Sequence, residues 1–207
     1  FAKEIRGKSW YYTLSTLLLL ISALLGSMFA PYILVKSICG FAASLLMVRM
    51  FVIYHDHQHH AILHGSFAGN VIMTIYGMYH LAPVSIWKRS HDHHHKHNSK
   101  IFSASIGSYP IATKNKFSRM TDAERKAYLA SRHPLTILAG YYSMFIVGMC
   151  INSFRSNPRR HFDSLIALIL HIVASVLVFI FIGWQAWLFG VFVPFFVSTA
   201  IGAYLFY

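Results

Sequence analysis

The sequence "YILVKSICGFAASLLMVRMFVIYHDHQHH", residues 32–60, joins a long apolar run directly to a group of four histidines. Its first part, about residues 32–54, has the roughly twenty apolar residues that an α-helix needs to cross a bilayer. Lys36 and Arg49 lie near opposite ends of the run, where long side chains can reach the polar interface. The stretch therefore predicts a membrane-spanning helix whose end leads straight into His55.

The composition places the whole chain in the membrane class. The 207 residues are 56% hydrophobic and 12% charged, whereas soluble domains carry about 25% charged residues. Eighteen Lys and Arg against six Asp and Glu give a formal net charge of +12. In a membrane protein this excess indicates basic loops at an anionic cytoplasmic leaflet, so we do not expect a nucleic-acid partner. Cys39 and Cys150 fall in apolar segments, and we interpret both as small buried hydrophobic residues.

The apolar runs predict an all-α integral membrane protein with four spans. The segments "APY" (30–32) and "GWQ" (183–185) separate the spans of each pair. "TDAE" (121–124) is a capping-box pattern that opens a short amphipathic helix. Because basic residues stay inside, we expect the histidines on the cytoplasmic side of the membrane. The predicted spans are about 10–29, 32–54, 164–182 and 186–207, with interfacial or re-entrant helices at about 62–84 and 135–154 and a cytoplasmic polar segment at about 85–134.

Nine of the fourteen histidines lie in two runs, "HDHQHH" (55–60) and "HDHHHKH" (91–97). Within each run some histidines recur at three- or four-residue spacing, which places them on one face of a helix. A tetrahedral metal site needs only three or four protein ligands, so five imidazoles can hold one or two ions. The predicted metal ligands are His55, His59, His91, His94 and His95, with His60 as a less certain sixth.

The acidic residues narrow the kind of metal site. Of the six, only Asp56 and Asp92 lie near the histidine runs in sequence. A carboxylate-bridged di-iron site needs several inward-facing Glu residues, which this chain lacks. Imidazole ligation suits iron, zinc, copper or nickel. Asp56 and Asp92 each follow the first histidine of a run, and we predict that they accept the second ring N–H of a ligating histidine.

The other histidines are interpreted by position. His171 lies in the middle of a predicted span, where an interhelical hydrogen bond is the better interpretation than a metal ligand. The role of His80, close to the second run, stays open. His57, His93 and His97 fall off the shared faces, and His64 and His133 are interpreted as surface residues.

The two runs resemble the histidine boxes of the integral-membrane fatty acid desaturases. "HDHQHH" matches the family's H-D-x-x-H box, and "WKRSHDHHHKHN" (87–98) matches its H-x-x-H-H box with the preceding Trp-x-x-Ser. "SIGSYPIATKNKF" (105–117) and "RHPLTI" (132–137) are similar to segments of bacterial acyl-lipid desaturases. The resemblance extends over nearly the whole chain from about residue 30.

The resemblance implies an oxygen-dependent enzyme with two iron ions held by histidines and O2 as co-substrate. It implies a lipid acyl substrate that receives a cis double bond. It also implies electrons from ferredoxin or cytochrome b5 with a reductase. A third H-x-x-H-H box of that family is not present in the sequence. We therefore expect a piece of a longer protein, cut at Phe1 and Tyr207, that is inactive alone because its metal site is incomplete.

Three other functions stay open. A hydroxylase or carotenoid ketolase shares the scaffold and differs in product. A membrane zinc protease is a remote alternative because H-D-x-x-H is similar to H-E-x-x-H, although the second histidine run is superfluous there. A metal transporter with histidine-rich loops is equally remote, because transport sites place ionisable residues in mid-membrane, where only His171 is predicted.

Overall fold

The computed structural model describes residues 3–97 and 111–206, without the side chains of His94, His95, His97 and Phe206. Residues 98–110 of the predicted polar segment lie outside the described residues. Within the described ranges the regular structure is helical and contains no strand, which confirms the all-α prediction. The α-helices are α1 Arg6–Phe29, α2 Ile33–Gln58, α3 Phe67–Tyr79, α4 Val84–His97, α5 Lys114–Ser118, α6 Asp122–Ala130, α7 Pro134–Leu138, α8 Ser153–Ser156, α9 Phe162–Leu177, α10 Trp184–Trp187 and α11 Val193–Phe206, with π-helical segments at Tyr141–Asn152, Val178–Ile182 and Leu188–Phe192.

Four helices in the described part of the chain are long and apolar enough to cross a membrane, as predicted. α2 continues past the predicted end at Tyr54 to Gln58, so the first histidine run begins inside the helix. Its C-cap residue, His59, still donates its backbone N–H to the carbonyl oxygen of His55 at 3.2 Å. Gly183, with a φ of +116°, separates the last two spans at the predicted turn. The four candidate spans are Arg6–Phe29, Ile33–Gln58, Phe162–Ile182 and Trp184–Leu205.

Small residues let the spanning helices approach closely. α1 packs along α2, and α2 also packs against residues 188–206. A Cβ atom at Gly40 of α2 would lie only 2.5 Å from the carbonyl oxygen of Phe189. Lipid tails are as apolar as leucine, so membrane helices associate largely through such close van der Waals contacts. The outer faces carry exposed apolar side chains such as Leu18 and Ile172, as a surface facing lipid requires.

Residues 134–156 form a nearly continuous helical segment that packs on the last two spans. It comprises α7, the π-helical residues Tyr141–Asn152 and α8, and it contacts α9 and α11. The hydroxyl of Tyr141 lies 2.5 Å from Nε2 of His171 in α9. This contact confirms the interpretation of His171 as an interhelical hydrogen-bonding residue. The re-entrant or interfacial depth of the segment stays a prediction.

The turn between α3 and α4 brings α4 back towards α2. Leu81 adopts a φ of +58°, and α4 begins directly after Pro83. The buried Tyr54 of α2 donates its hydroxyl proton to the carbonyl oxygen of Ala82 at 3.0 Å. This hydrogen bond ties the turn to the last part of α2, so the start of α4 lies beside the histidine-bearing end of α2.

Candidate metal centre

Three of the predicted ligands converge in the described part of the chain. One ring nitrogen from each of His55, His59 and His91 lies within 4.8 Å of the other two. Nε2 of His59 lies 2.7 Å from Nε2 of His91. The ring centroids of the three imidazoles are 4.6 to 4.8 Å apart. The helical spacing of four residues on α2 thus presents two imidazoles to the one from α4.

Trp87 fixes one side of the cluster. It lies four residues before His91 on α4, which places both side chains on one helix face. Its buried ring stacks on the His91 imidazole with centroids 4.4 Å apart and planes inclined by 21°. The same ring meets His55 edge to face at 5.8 Å. The indole therefore restricts the orientation of two of the three imidazoles.

Asp56 lies where a partner of a ligating histidine is expected. Its Oδ1 is 3.1 Å from Nδ1 of His55. A carboxylate at Nδ1 favours the tautomer that carries the proton there, which leaves Nε2 with a free lone pair. The described contact of Asp92 is with Nζ of Lys88 at 3.7 Å, and its contact with a ligating histidine stays a prediction.

Of the other predicted ligands with a described side chain, His60 is not part of this cluster. His60 leaves the helix with a φ of +57°, and its ring packs against that of His64 at 5.0 Å. The backbone of α4 includes His94 and His95, but their side chains lie outside the described residues. The structure therefore describes three of the six predicted imidazoles as one group.

His80 is buried close to the site without joining it. Its ring stacks on Tyr76 and lies near Phe51, Phe145 and Phe195. Burial lowers the pKa of His80 to about 3. The ring thus packs as a neutral imidazole among aromatic side chains, and its buried Nδ1 has no hydrogen-bond partner among the described residues.

Two further carboxylates bind the elements next to the histidine runs, although they lie far from those runs in the sequence. Neither was expected from the sequence, in which only Asp56 and Asp92 lie near the histidine runs. Oδ2 of Asp163 accepts the backbone N–H of Ser85 at the start of α4. Glu4 accepts the backbone N–H of Leu63, at 2.6 Å, in the loop that follows α2. This bond holds a loop in which Leu63 itself has a φ of +50°, and it lowers the pKa of Glu4.

The three imidazoles can share a first-row metal ion once their side chains adjust around it. Imidazole nitrogens bind such ions at about 2.1 Å, so two ligands at right angles lie about 3.0 Å apart. The 2.7 Å between Nε2 of His59 and Nε2 of His91 is slightly shorter, whereas the three ring nitrogens together are only within 4.8 Å of one another. Three imidazoles leave coordination positions open for further ligands, which is the arrangement that catalytic metal sites use.

A basic pocket of about 630 Å³ lies along another face of α4. Lys88, Arg89 and Lys96 contribute three cations, and Arg160 contributes a fourth from the loop before α9. Asp92 is the one carboxylate among the described lining residues. The pocket therefore presents a positive surface one helix face away from the histidine cluster.

The chain is similar to known proteins of one family. The model of the family described as "Fatty acid desaturase" matches residues 27–207. A Bacillus subtilis (strain 168) protein named "Fatty acid desaturase" is 23% identical over 182 residues, which cover 87% of this chain and 51% of that relative. The chain thus spans about half the length of this relative. No solved structure matches the chain. Because the family model covers most of its residues, the chain belongs to the fatty acid desaturase family.

Proposed function

We propose that this protein is an oxygen-dependent fatty acyl desaturase, which inserts a cis double bond into a lipid acyl chain at a histidine-ligated di-iron centre. The observation that carries the proposal is the convergence of His55, His59 and His91 at the end of a candidate spanning helix. Family membership supports the reaction class. The location at a membrane end supports a substrate that lies in the bilayer.

His55, His59 and His91 would hold the metal, together with His94 and His95 from the same helix as His91. His60 remains a less certain member. Two iron ions bound there would supply the oxidising power for removing two hydrogens from unactivated methylene groups, with O2, two electrons and two protons consumed and two molecules of water released. The protein supplies the ligands and their orientation. Asp56 would keep His55 in the tautomer that offers Nε2, and Trp87 would hold the His91 ring in place.

An acyl chain offers nothing polar to recognise, so the shape of the site must select the carbon that reacts. The four candidate spans expose apolar side chains along the bilayer, from which a lipid substrate would enter. We propose that the histidine boxes lie on the cytoplasmic side of a bacterial inner membrane, where soluble electron carriers are available. The excess of basic residues supports this orientation.

The basic pocket on α4 supports the proposal that an acidic electron donor binds there, either ferredoxin or cytochrome b5 with its reductase. Lys88, Arg89, Lys96 and Arg160 line it, one helix face from the histidine cluster. Opposite charge steers two proteins into contact and mainly raises their association rate. Such steering weakens as ionic strength rises, because salt screens exposed charges.

Single replacement of the ligands tests the proposal. The complete protein would be expressed in a bacterial host that lacks the corresponding double bond, and fatty acids would be profiled by gas chromatography. His55→Ala, His59→Ala, His91→Ala or His94→Ala should abolish the new unsaturated acids and lower the iron content of the purified protein. His133→Asn is the matched control, because it removes an exposed imidazole and keeps an N-cap residue for α7.

Two results would contradict the proposal. Wild-type unsaturation in the His94→Ala variant would remove His94 from the ligand set and contradict the assignment of five histidine ligands. Hydroxylated or ketone products from the wild-type protein would show that the same scaffold performs oxygen insertion instead.

A further inference from the structure

Three side chains far apart in sequence meet at the start of α4. Oγ of Ser85 lies 2.5 Å from Oδ1 of Asp163 and 2.8 Å from Nδ1 of His161. The backbone N–H of Ser85 donates to Oδ2 of Asp163 at 3.0 Å. His161 is fully buried. Both oxygens of one carboxylate from the first turn of α9 thus bind one residue at the beginning of α4.

The hydrogen atoms in this group can be assigned by counting. Ser85 has one hydroxyl proton, which it donates to Oδ1 of Asp163 because a carboxylate can only accept. His161 must then donate its Nδ1–H to Oγ of Ser85, which leaves Nε2 as the unprotonated nitrogen. Nε2 is buried and has no hydrogen-bond partner among the described residues. Burial lowers the pKa of His161, with Arg89 and Arg160 adding to the effect against Asp163, so the neutral form fits this role.

This group fixes the start of the helix that carries His91. The first N–H groups of an α-helix have no partner within the helix and need an external acceptor. Ser85 is the second residue of α4, and its own N–H is bound by Asp163. His91 follows six residues later, about 9 Å along the helix axis. A small change in the direction of α4 at Ser85 is therefore carried to the imidazole that meets His55 and His59.

We propose that Asp163 is a positioning residue for the histidine cluster: it anchors the start of α4 through Ser85, with His161 holding Ser85 in place, and so sets where His91 meets the two imidazoles of α2. The inference rests on the metal centre of the proposed function. It assigns a role to a carboxylate and a histidine that lie 72 and 70 residues after His91.

Metal binding without turnover tests the proposal. The complete protein would be purified free of metal and titrated with Co²⁺, whose visible absorption reports the ligand geometry. Asp163→Ala should weaken Co²⁺ binding about tenfold or more, as loss of groups that orient metal ligands typically does. It should also change the absorption spectrum and speed deuterium exchange of the α4 backbone amides in the metal-free protein.

Two milder variants and a control accompany it. Ser85→Ala keeps the backbone N–H bond to Asp163 and should weaken binding less than Asp163→Ala. Asp163→Asn keeps one acceptor oxygen in the same shape and should restore part of the affinity. Asp122→Ala removes an acidic side chain that is 93% exposed and should leave Co²⁺ binding unchanged.

The outcomes separate this inference from the proposed function. If Asp163→Ala binds Co²⁺ like the wild type while His91→Ala does not, Asp163 has no positioning role. If Asp163→Ala does not fold, the two milder variants decide: wild-type binding in both overturns the inference, and graded loss supports it. If the wild type produces no unsaturated lipid yet its Co²⁺ affinity depends on Asp163, the proposed function fails and the positioning role stands.

Discussion

At the scale of single residues, the scarce carboxylates concentrate around the histidine-bearing helices. Asp56 contacts His55, Glu4 holds the loop after α2, and Asp163 binds the start of α4. The Asp56 contact follows from sequence, because the two residues are adjacent. The other two do not, since their partners lie 59 and 78 residues away along the chain. Long-range polar contacts of this kind leave no periodic pattern in a single sequence.

His80 gives the protein a defined dependence on pH. It follows α3, outside the candidate spans, and burial lowers its pKa to about 3. A histidine in the unfolded chain has a pKa of about 6.5. Between these two values the unfolded state binds more protons than the folded state. The free energy of unfolding therefore decreases as the pH falls from about 6.5 towards 3, and increases as the pH rises. The slope approaches about 1.4 kcal/mol per pH unit for one such group.

Replacing His80 by Phe tests this dependence. His80→Phe keeps an aromatic ring among Phe51, Tyr76 and Phe145 and removes the titrating nitrogens. Thermal unfolding in detergent micelles between pH 7 and pH 5 should show a Tm that falls less for the variant than for the wild type. His133→Asn, at an exposed position, should follow the wild-type curve. Parallel curves for His80→Phe and wild type would contradict the assigned burial of a neutral imidazole.

At the scale of helices, the sequence predicts what depends on local chemistry. Thr121 and Glu124 form the expected capping box at the start of α6, and Gly183 divides the last two spans with a left-handed φ. Spacing of four residues also places His55 and His59 together, because α2 remains helical through Gln58. The direction of α4 was not predictable, since it depends on the turn at Leu81.

Close packing of α2 against residues 188–192 predicts a strong effect of one added methyl group. A Cβ atom at Gly40 would lie 2.5 Å from the backbone oxygen of Phe189, which a side-chain rotation cannot relieve. Gly40→Ala should therefore destabilise the protein by about 1–3 kcal/mol through overpacking. The measurement is the Tm, or the midpoint of denaturant unfolding, of the protein in micelles.

Gly7 in α1 supplies the matched control for this substitution. Nothing lies within 4 Å of a Cβ atom at that position. Gly7→Ala should be neutral or stabilising by up to about 1 kcal/mol, because Ala is the better helix former. Equal effects of the two substitutions would show that helix propensity, rather than contact with Phe189, determines the result at Gly40.

At the scale of the whole molecule, the charge pattern and the four spans predict one orientation. Basic residues lie just before and within the first turn of α1, recur from Lys88 to Arg132, and follow α8 before the third span. With four crossings all of these segments can lie on one side of the membrane, together with the histidine cluster. The turn at Gly183 and Trp184 must then lie on the other side. The positive-inside rule assigns the basic side to the cytoplasm.

Accessibility of single cysteines tests this orientation. In a background with Cys39 and Cys150 replaced by Ala, Lys126→Cys probes the basic side and Trp184→Cys probes the turn. Both native side chains are exposed, so a reagent can reach either position from its own side. In right-side-out spheroplasts a membrane-impermeant maleimide should label Trp184→Cys at once and Lys126→Cys only after permeabilisation. Labelling of both before permeabilisation would mean that the chain crosses the membrane an even number of times between α6 and Trp184 and that the basic segment faces outward. The histidine cluster would then lack access to a cytoplasmic electron donor, because α4 and α6 belong to the same predicted polar segment.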